Sequence, residues 1–239
     1  MAPKIIYEDA DFLAVNKPAG LLVHRVSGKR GEDETLTSWL LSRYPEIKRV
    51  GDDPEARPGI VHRLDREASG VLLVAKNQDT FHYLKSLFKT RAITKIYLAW
   101  VRGRVLPRRG AVESPIGMVR GTLKRSLRGA LMRKEAVTEY RVIEHAGEGA
   151  GGSFSFLEVR PRTGRTHQIR VHLQSIGHPI VGDRLYGPKS QPAWATRLML
   201  HAFSLEFTTR QGERLKIEAE PDTGFVRPRL GIDGSVEAA

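Results

Sequence analysis

No cysteine occurs among the 239 residues. That excludes disulfides, thiolate nucleophiles and thiolate metal sites. It suits a cytoplasmic protein, the location expected here, and is compatible with any compartment. No apolar run approaches the roughly 20 residues that span a bilayer. The opening MAPKIIYEDADFLAV has neither the long apolar core nor the small-residue cleavage site of a signal peptide. Acids are outnumbered: 27 Asp and Glu stand against 39 Lys and Arg, a net charge of +12. Such a balance favours a polyanionic partner, nucleic acid first and an anionic membrane surface second. A membrane surface wants a basic amphipathic helix with a bulky apolar face, and the best amphipathic stretch, Gln78 to Arg91, reads more simply as a helix packed on a sheet. The cations also cluster, in Arg102, Arg104, Arg108 and Arg109, in Arg120, Lys124, Arg125, Arg128, Arg133 and Lys134, and in Arg160, Arg162, Arg165 and Arg170.

What is present is 40% hydrophobic and 28% charged residues, enough apolar material for one large domain or two small ones. Ile5 to Tyr7 and Phe12 to Val15 are short apolar runs that read as a β-hairpin. Lys17-Pro-Ala-Gly20 breaks the chain before a further apolar run, Leu21 to Val23. Thr35 to Tyr44 places Leu36, Trp39 and Leu40 at helical spacing, stopped by Pro45. Asp52 to Pro58 is a polar loop. Val71 to Ala75 suits a strand buried on both faces, and Asn77 can cap a following helix with Phe81, Leu84, Leu87 and Phe88 on one face. Thr94 to Val101, Val137 to Ile143, Phe154 to Val159, Leu198 to Phe207 and Leu215 to Ala219 read as strands. Val105 to Lys134 is basic and irregular, predicting surface hairpins, and Gly147 to Gly152 a flexible turn. Gln168 to Ile176 reads as a helix with Ile169, Leu173 and Ile176 on one face, ended by Gly177. The tail after Pro221 is expected to fray or pack loosely. Hairpin-like neighbours and few helices predict a mixed, mostly antiparallel α+β fold.

Three stretches carry possible chemistry. In RPGIVHRLDREASGVLLVAKN, Asp65 sits in a loop between apolar segments, with Arg57, His62, Arg63 and Arg66 nearby in sequence. Burial there raises a carboxyl pKa and a guanidinium lowers it; an anionic, poorly hydrated carboxylate is what nucleophilic catalysis uses. Taken alone, this stretch fits better an aspartate that caps a turn or pairs with a local arginine. In RPRTGRTHQIRVH, Thr163-Gly164 marks a tight turn and Arg165 follows where a helix begins, its planar, permanently charged fork able to reach an acid from another strand. His167 and His172 lie five positions apart, which is not a metalloprotease arrangement, so they and His201 read as hydrogen-bonding or core-edge histidines. Tyr97, mid-strand in KIYLA, reads alone as structural.

Together these residues resemble one family. His62-Arg63-Leu64-Asp65 with Ser69-Gly70, Lys95-Ile96-Tyr97, and Arg162-Thr-Gly-Arg165-Thr-His-Gln-Ile-Arg170 resemble, in order, the motifs of RluA-type pseudouridine synthases. Asn16-Lys-Pro-Ala-Gly20 and Leu200-His-Ala202 match flanking signatures. The resemblance runs from about Ile5 to about Pro221. It implies isomerisation of uridine to pseudouridine in ribosomal or transfer RNA, with no cofactor and no metal. It implies a central, mainly antiparallel sheet with flanking helices and an active-site cleft across it. A catalytic domain over residues 1–225 and a loosely ordered tail over 226–239 are expected. By resemblance Asp65 is the catalytic carboxylate, Tyr97 stacks on the uracil, Arg165 pairs with the aspartate, and Arg63 enters the RNA stack where the target leaves. His62, Lys95, Arg162 and Arg170 are expected to bind RNA. Ala68 replaces the family's usual threonine, and the S4-like module of many relatives is expected to be absent. The alternatives are a non-catalytic RNA-binding or ribosome-assembly factor on the same fold, and a metal-dependent nuclease, which would want more clustered acids than Asp65 and Glu67. A monomer without an obligate protein partner, not bound to membranes, is the simplest expectation.

Overall fold

The computed structural model describes residues 2–25, 34–122, 124–127, 129–147, 152–225, 228–230 and 236–238. In chain order the elements are strands β1 (Lys4–Glu8) and β2 (Phe12–Lys17), helix α1 (Leu36–Leu41), strand β3 (Ser69–Ala75), helix α2 (Gln78–Thr90), and strands β4 (Thr94–Arg102), β5 (Arg109–Glu113), β6 (Ile116–Met118), β7 (Arg125–Ser126), β8 (Leu131–Lys134), β9 (Val137–Ala146) and β10 (Phe154–Pro161). Helix α3 (Gln168–Ser175) and strands β11 (Leu200–Thr208), β12 (Arg214–Glu218), β13 (Pro228–Leu230) and β14 (Val236–Ala238) follow. These form two compact units: Met1–Thr94 with Ala202–Glu220, and Lys95–His201 with Pro221–Ala239. The pairs β1–β2, β2–β3, β4–β10, β9–β10, β5–β9 and β11–β12 are antiparallel, in line with the mainly antiparallel α+β expectation.

In the first unit the strands run in the order β1-β2-β3-β11, with β12 paired to β11. The expected hairpin is present, Ile5 opposite Val15. All seven residues of β3 are buried, as its unbroken apolar run predicts. Asn77 caps α2 by accepting the Thr80 N–H, and Phe81 and Leu84 are buried on its inner face. Helix α1 begins with a capping box: the Thr35 hydroxyl accepts from Ser38 N–H while the Ser38 hydroxyl accepts from Thr35 N–H. It ends at Leu41, earlier than the expected Tyr44, and the Arg43 and Tyr44 amides both donate to the Leu40 carbonyl in the turn that follows. Pro45 then opens a short 3-10 turn, Pro45–Arg49, instead of simply ending a helix.

In the second unit the order is β4-β10-β9-β5. The 105–134 segment is more regular than expected. Strand β5 joins this sheet through β9, and β7-β6-β8 form a separate three-stranded sheet on which Met118, Leu131 and Met132 stay exposed. Helix α3 stops at Ser175, so Ile176 lies beyond it and exposed, not on the inner face. Gly177, at φ +85°, closes it with its N–H on the Gln174 carbonyl. Buried along α3 are Gln168, Arg170 and His172 as well as Ile169, Val171 and Leu173. Most of the 147–152 turn, and Arg128, lie outside the described residues. In the tail, β13 pairs with β14.

Gly70 shows why the first unit is sensitive to a single atom. Its φ is +118°, and a Cβ there would overlap the main chain of Ala202 on β11. Gly70→Ala therefore combines backbone strain with a clash that side-chain motion cannot relieve. It is expected to cost more than about 3 kcal/mol of unfolding free energy. Gly164→Ala, with open space at its Cβ and no positive φ, should change stability by less than about 1 kcal/mol in the same urea titration.

Candidate active site

Asp65 lies in the loop before β3, half-buried between buried Leu64 and Ala68. The Ala68 N–H donates to the Asp65 carbonyl, closing a turn. Lys17, fully buried, holds this loop to its neighbour: its ammonium donates to the carbonyls of Pro18 (2.8 Å), Leu21 (2.9 Å) and Arg66 (3.2 Å). Burying a charge costs several kcal/mol unless its donors are satisfied, and here three main-chain oxygens satisfy them. A second clip runs between the same two loops: Gly20 N–H donates to the Arg66 carbonyl at 2.8 Å and Arg66 Nε to the Gly20 carbonyl at 3.0 Å. The Asp65 turn is thus tied on its C-terminal side to the Lys17–Gly20 breaker.

The N-terminal side is held by His62. Its Nε2 accepts the Leu73 amide of β3 at 2.9 Å, and its ring stacks on Phe88 of α2, centroids 4.4 Å apart. An acceptor facing a main-chain N–H must be unprotonated, so this nitrogen works inside the loop's own support. Arg63 and Arg66 are exposed. Nearby His24 is kept neutral: burial, then the Arg63 and Arg57 charges, hold its pKa below the ordinary imidazole value.

In the second unit, Tyr97 is half-buried on β4, opposite Val159 of β10. Two residues earlier, the Lys95 ammonium donates to the Thr163 carbonyl at 3.3 Å. This brings the second and third motifs together. Arg165 is half-buried and anchored at one point of its guanidinium, Nε donating to the Glu135 carbonyl at 3.0 Å. Arg162 is exposed and pairs with Glu139. His167, at φ +57°, starts α3, and its Nδ1 meets the Tyr186 hydroxyl, which also accepts the Arg125 amide of β7. His201 is buried against the Phe225 ring.

Arg170 is not where an RNA contact would be. It is 3% exposed and grips Asp183 with two parallel bonds, Nε to Oδ2 and Nη2 to Oδ1, both 2.8 Å. The Tyr186 ring lies beside its guanidinium. Burial pushes the Asp183 carboxyl up, but the Arg170 fork and the Tyr186 and Leu185 amides outweigh it and hold the pKa below the usual carboxylate range. Arg170, expected to bind RNA, is instead half of an internal ion pair, whose partner stands 13 positions away with nothing in the motif to announce it. Lys17 and Gln168 stand in the motifs but carry no expected role there, and Asp183 and Tyr186 carry none either. A buried Lys and Gln leave no trace in hydrophobic periodicity. Among the described residues no three His, Asp or Glu stand close enough to hold a metal, and no helix is long and apolar enough to cross a membrane.

A family model described as RNA pseudouridylate synthase matches residues 11–175, a span that contains all three motifs. The chain belongs to this family. A ribosomal large subunit pseudouridine synthase D of Borreliella burgdorferi is 37% identical over 93% of the chain and 66% of its own length. An RNA pseudouridine synthase of Aquifex aeolicus, itself uncharacterised, is 40% identical over 92% of the chain and 70% of its length. A Chloroflexus aurantiacus relative is 45% identical, but the chain spans only 55% of it. The chain thus covers about two thirds or less of several curated relatives. Among solved structures, human RNA pseudouridylate synthase domain containing 1 superposes with a TM-score of 0.76 at 32% identity, covering 99% of the chain and 89% of that protein. The RluA-type resemblance and the expected fold class both stand.

Two outcomes follow for this family member. Asp183→Asn leaves a buried guanidinium without its counter-charge and is expected to cost about 3–5 kcal/mol in urea unfolding, while Arg170→Met with Asp183→Leu recovers most of that loss. Burial first of all lowers the pKa of His172, of His145 and of His24 from 6.5. The unfolded chain therefore binds these protons more readily than the native one. Stability is fully present above about pH 6.5 and should fall as the pH drops toward the lowered native values, read as a declining thermal midpoint between pH 7.5 and 5.5.

Proposed function

We propose that this chain is an RNA pseudouridine synthase that isomerises specific uridines without a cofactor, in large-subunit ribosomal RNA before transfer RNA. What supports this most is the family match over residues 11–175, which includes Asp65 in a loop clipped on both sides by part-buried hydrogen bonds. A carboxylate held in one place against thermal motion is what nucleophilic or base catalysis requires.

The chemistry balances internally. The N1–C1′ bond breaks, a C5–C1′ bond forms, C5 loses its proton and N1 gains one. Asp65 supplies the carboxylate that attacks or deprotonates the nucleoside. Tyr97 stacks on the uracil and assists removal of the C5 proton. Arg165 supplies the permanent positive charge that the third motif brings to the reaction. Arg63, exposed on the Asp65 loop, fills the gap left by the flipped base. Unstacking costs a few kcal/mol, least in loops. The net charge of +12 supplies the sequence-independent grip on phosphates. Arg162 and Lys95 contribute to that grip, whereas Arg170 and His62 act by holding the loops that carry the motifs. The protein works as a cytoplasmic monomer that needs no membrane.

The test uses a large-subunit ribosomal RNA transcript tritiated at uridine C5, which releases tritium on isomerisation. Asp65→Asn is expected to abolish release while leaving RNA affinity within about threefold. Arg165→Met is expected to reduce the single-turnover rate by at least about 100-fold, with only partial recovery in Arg165→Lys. Pseudouridine mapping of cellular RNA with and without the gene should show one or more sites restored by wild type and not by Asp65→Asn. Tritium release by Asp65→Asn at the wild-type rate would remove that residue from the chemistry.

A further inference from the structure

We propose that Gln168 is a positioning residue for Arg165, fixing the arginine's main chain through a buried polar chain that runs across the second unit. The proposal rests on the reading of Arg165 as a participant in the reaction. Gln168 is 4% exposed, and its amide makes the full set of four hydrogen bonds open to it. Oε1 accepts the Arg165 amide N–H at 3.0 Å and the Thr163 hydroxyl at 2.6 Å. Nε2 donates to the Val137 carbonyl and to the Thr138 hydroxyl oxygen, both at 2.9 Å.

Main-chain groups dictate this orientation. The Arg165 N–H can only donate and the Val137 carbonyl can only accept, so the amide cannot be turned over. The direction propagates. Thr138 Oγ1 receives a hydrogen from Gln168, so its own hydrogen is free for His172 Nδ1, 2.9 Å away. His172 Nε2 carries a hydrogen, because at 3.0 Å it faces the Ser114 carbonyl, another obligate acceptor. His172 and Thr138 are fully buried and Thr163 nearly so. Each member is satisfied only while its neighbour keeps its place, and a buried network of this kind is costly to leave half-made.

The consequence falls on Arg165. An arginine carries about 2 kcal/mol of rotamer entropy, so a free one aims poorly. Here the residue is held at both ends: the amide by Gln168, and Nε by the Glu135 carbonyl. Only the terminal fork remains to be aimed. Removing Gln168 releases one of the two anchors, and displacements of about 1 Å cost on the order of 100-fold in rate.

The experiment uses the full chain, the C5-tritiated large-subunit ribosomal RNA transcript, and four variants. Gln168→Met removes all four bonds at similar volume. Thr138→Val removes the hydroxyl link and Thr138→Ser restores it. Arg165→Met supplies the reference. Gln168→Met is expected to lower kcat at least tenfold with RNA affinity within twofold, and to speed hydrogen exchange at the Arg165 amide. Thr138→Val should fall between, and Thr138→Ser near wild type. In the Arg165→Met background, Gln168→Met should lower kcat no further, since its effect passes through that arginine. Unchanged kcat in Gln168→Met, or a loss that multiplies with that of Arg165→Met, overturns the proposal. Should Gln168→Met fail to fold, wild-type kcat in Thr138→Val overturns it equally. If Arg165→Met itself turns over normally, the reading of Arg165 fails instead. If Arg165→Met is impaired and neither Gln168→Met nor Thr138→Val is, positioning alone fails.

Discussion

A polar side chain withdrawn from water is costly unless it finds partners, and for Lys17, His62 and Gln168 several of those partners are main-chain atoms in or beside the motifs. Lys17 delivers its ammonium to three carbonyls, one of them next to Asp65. His62 takes an amide of β3. Gln168 takes the amide of Arg165. Each bond is strong because the surroundings are dry, and each would be expensive to lose for the same reason. Loops are ordinarily the mobile part of a fold. Here the cost of leaving a buried donor or acceptor unmatched makes them rigid, without requiring them to be helix or strand.

That constraint also explains what was legible in the sequence. Elements governed by apolar burial could be read directly. The β1–β2 hairpin, the fully buried β3 and the Asn77-capped α2 follow from runs, alternation and spacing that hydrophobic packing imposes. Helix α3 follows a different logic. Its buried residues include Gln168, Arg170 and His172, so its inward face is broader and more polar than an apolar stripe. Ile176 completes the periodic pattern on paper yet lies past the end of the helix. The short α1 differs locally, since it gives way to a turn and then to the 3-10 segment Pro45–Arg49, which apolar spacing does not announce.

The site was legible to a different depth. Asp65, Tyr97 and Arg165 stand out only through several spaced motifs taken together, because each alone has an ordinary structural use. The motifs mark which residues belong together, not which way each one faces. Arg162, Arg165 and Arg170 occur within nine positions. One is exposed and paired with Glu139, one is half-buried with a single anchored nitrogen, and one is sealed against Asp183. A guanidinium serves for all three because it is always charged and has five donors in a fixed plane. The same versatility hides its role in a linear sequence.

A formal charge of +12 must therefore be divided before it is assigned to RNA. Arg170 is neutralised internally by Asp183, and Arg141 and Arg160 both lean on Glu158. Ion pairs do not change the net charge, but they decide where its field emerges. A pair sealed from water presents little more than a dipole to a ligand, whereas unpaired cations on exposed elements act at the Debye length of about 8–10 Å. Among the described residues the exposed cations include Arg63 and Arg66 on the Asp65 loop, and Arg120, Lys124, Arg133 and Lys134 around β6–β8. Such cations thus stand both on the loop that holds the carboxylate and on a small sheet whose apolar residues, Met118, Leu131 and Met132, are left uncovered. Exposed cations attract phosphates and uncovered apolar side chains tolerate unstacked bases, a combination that in general suits single-stranded and looped RNA better than a regular duplex.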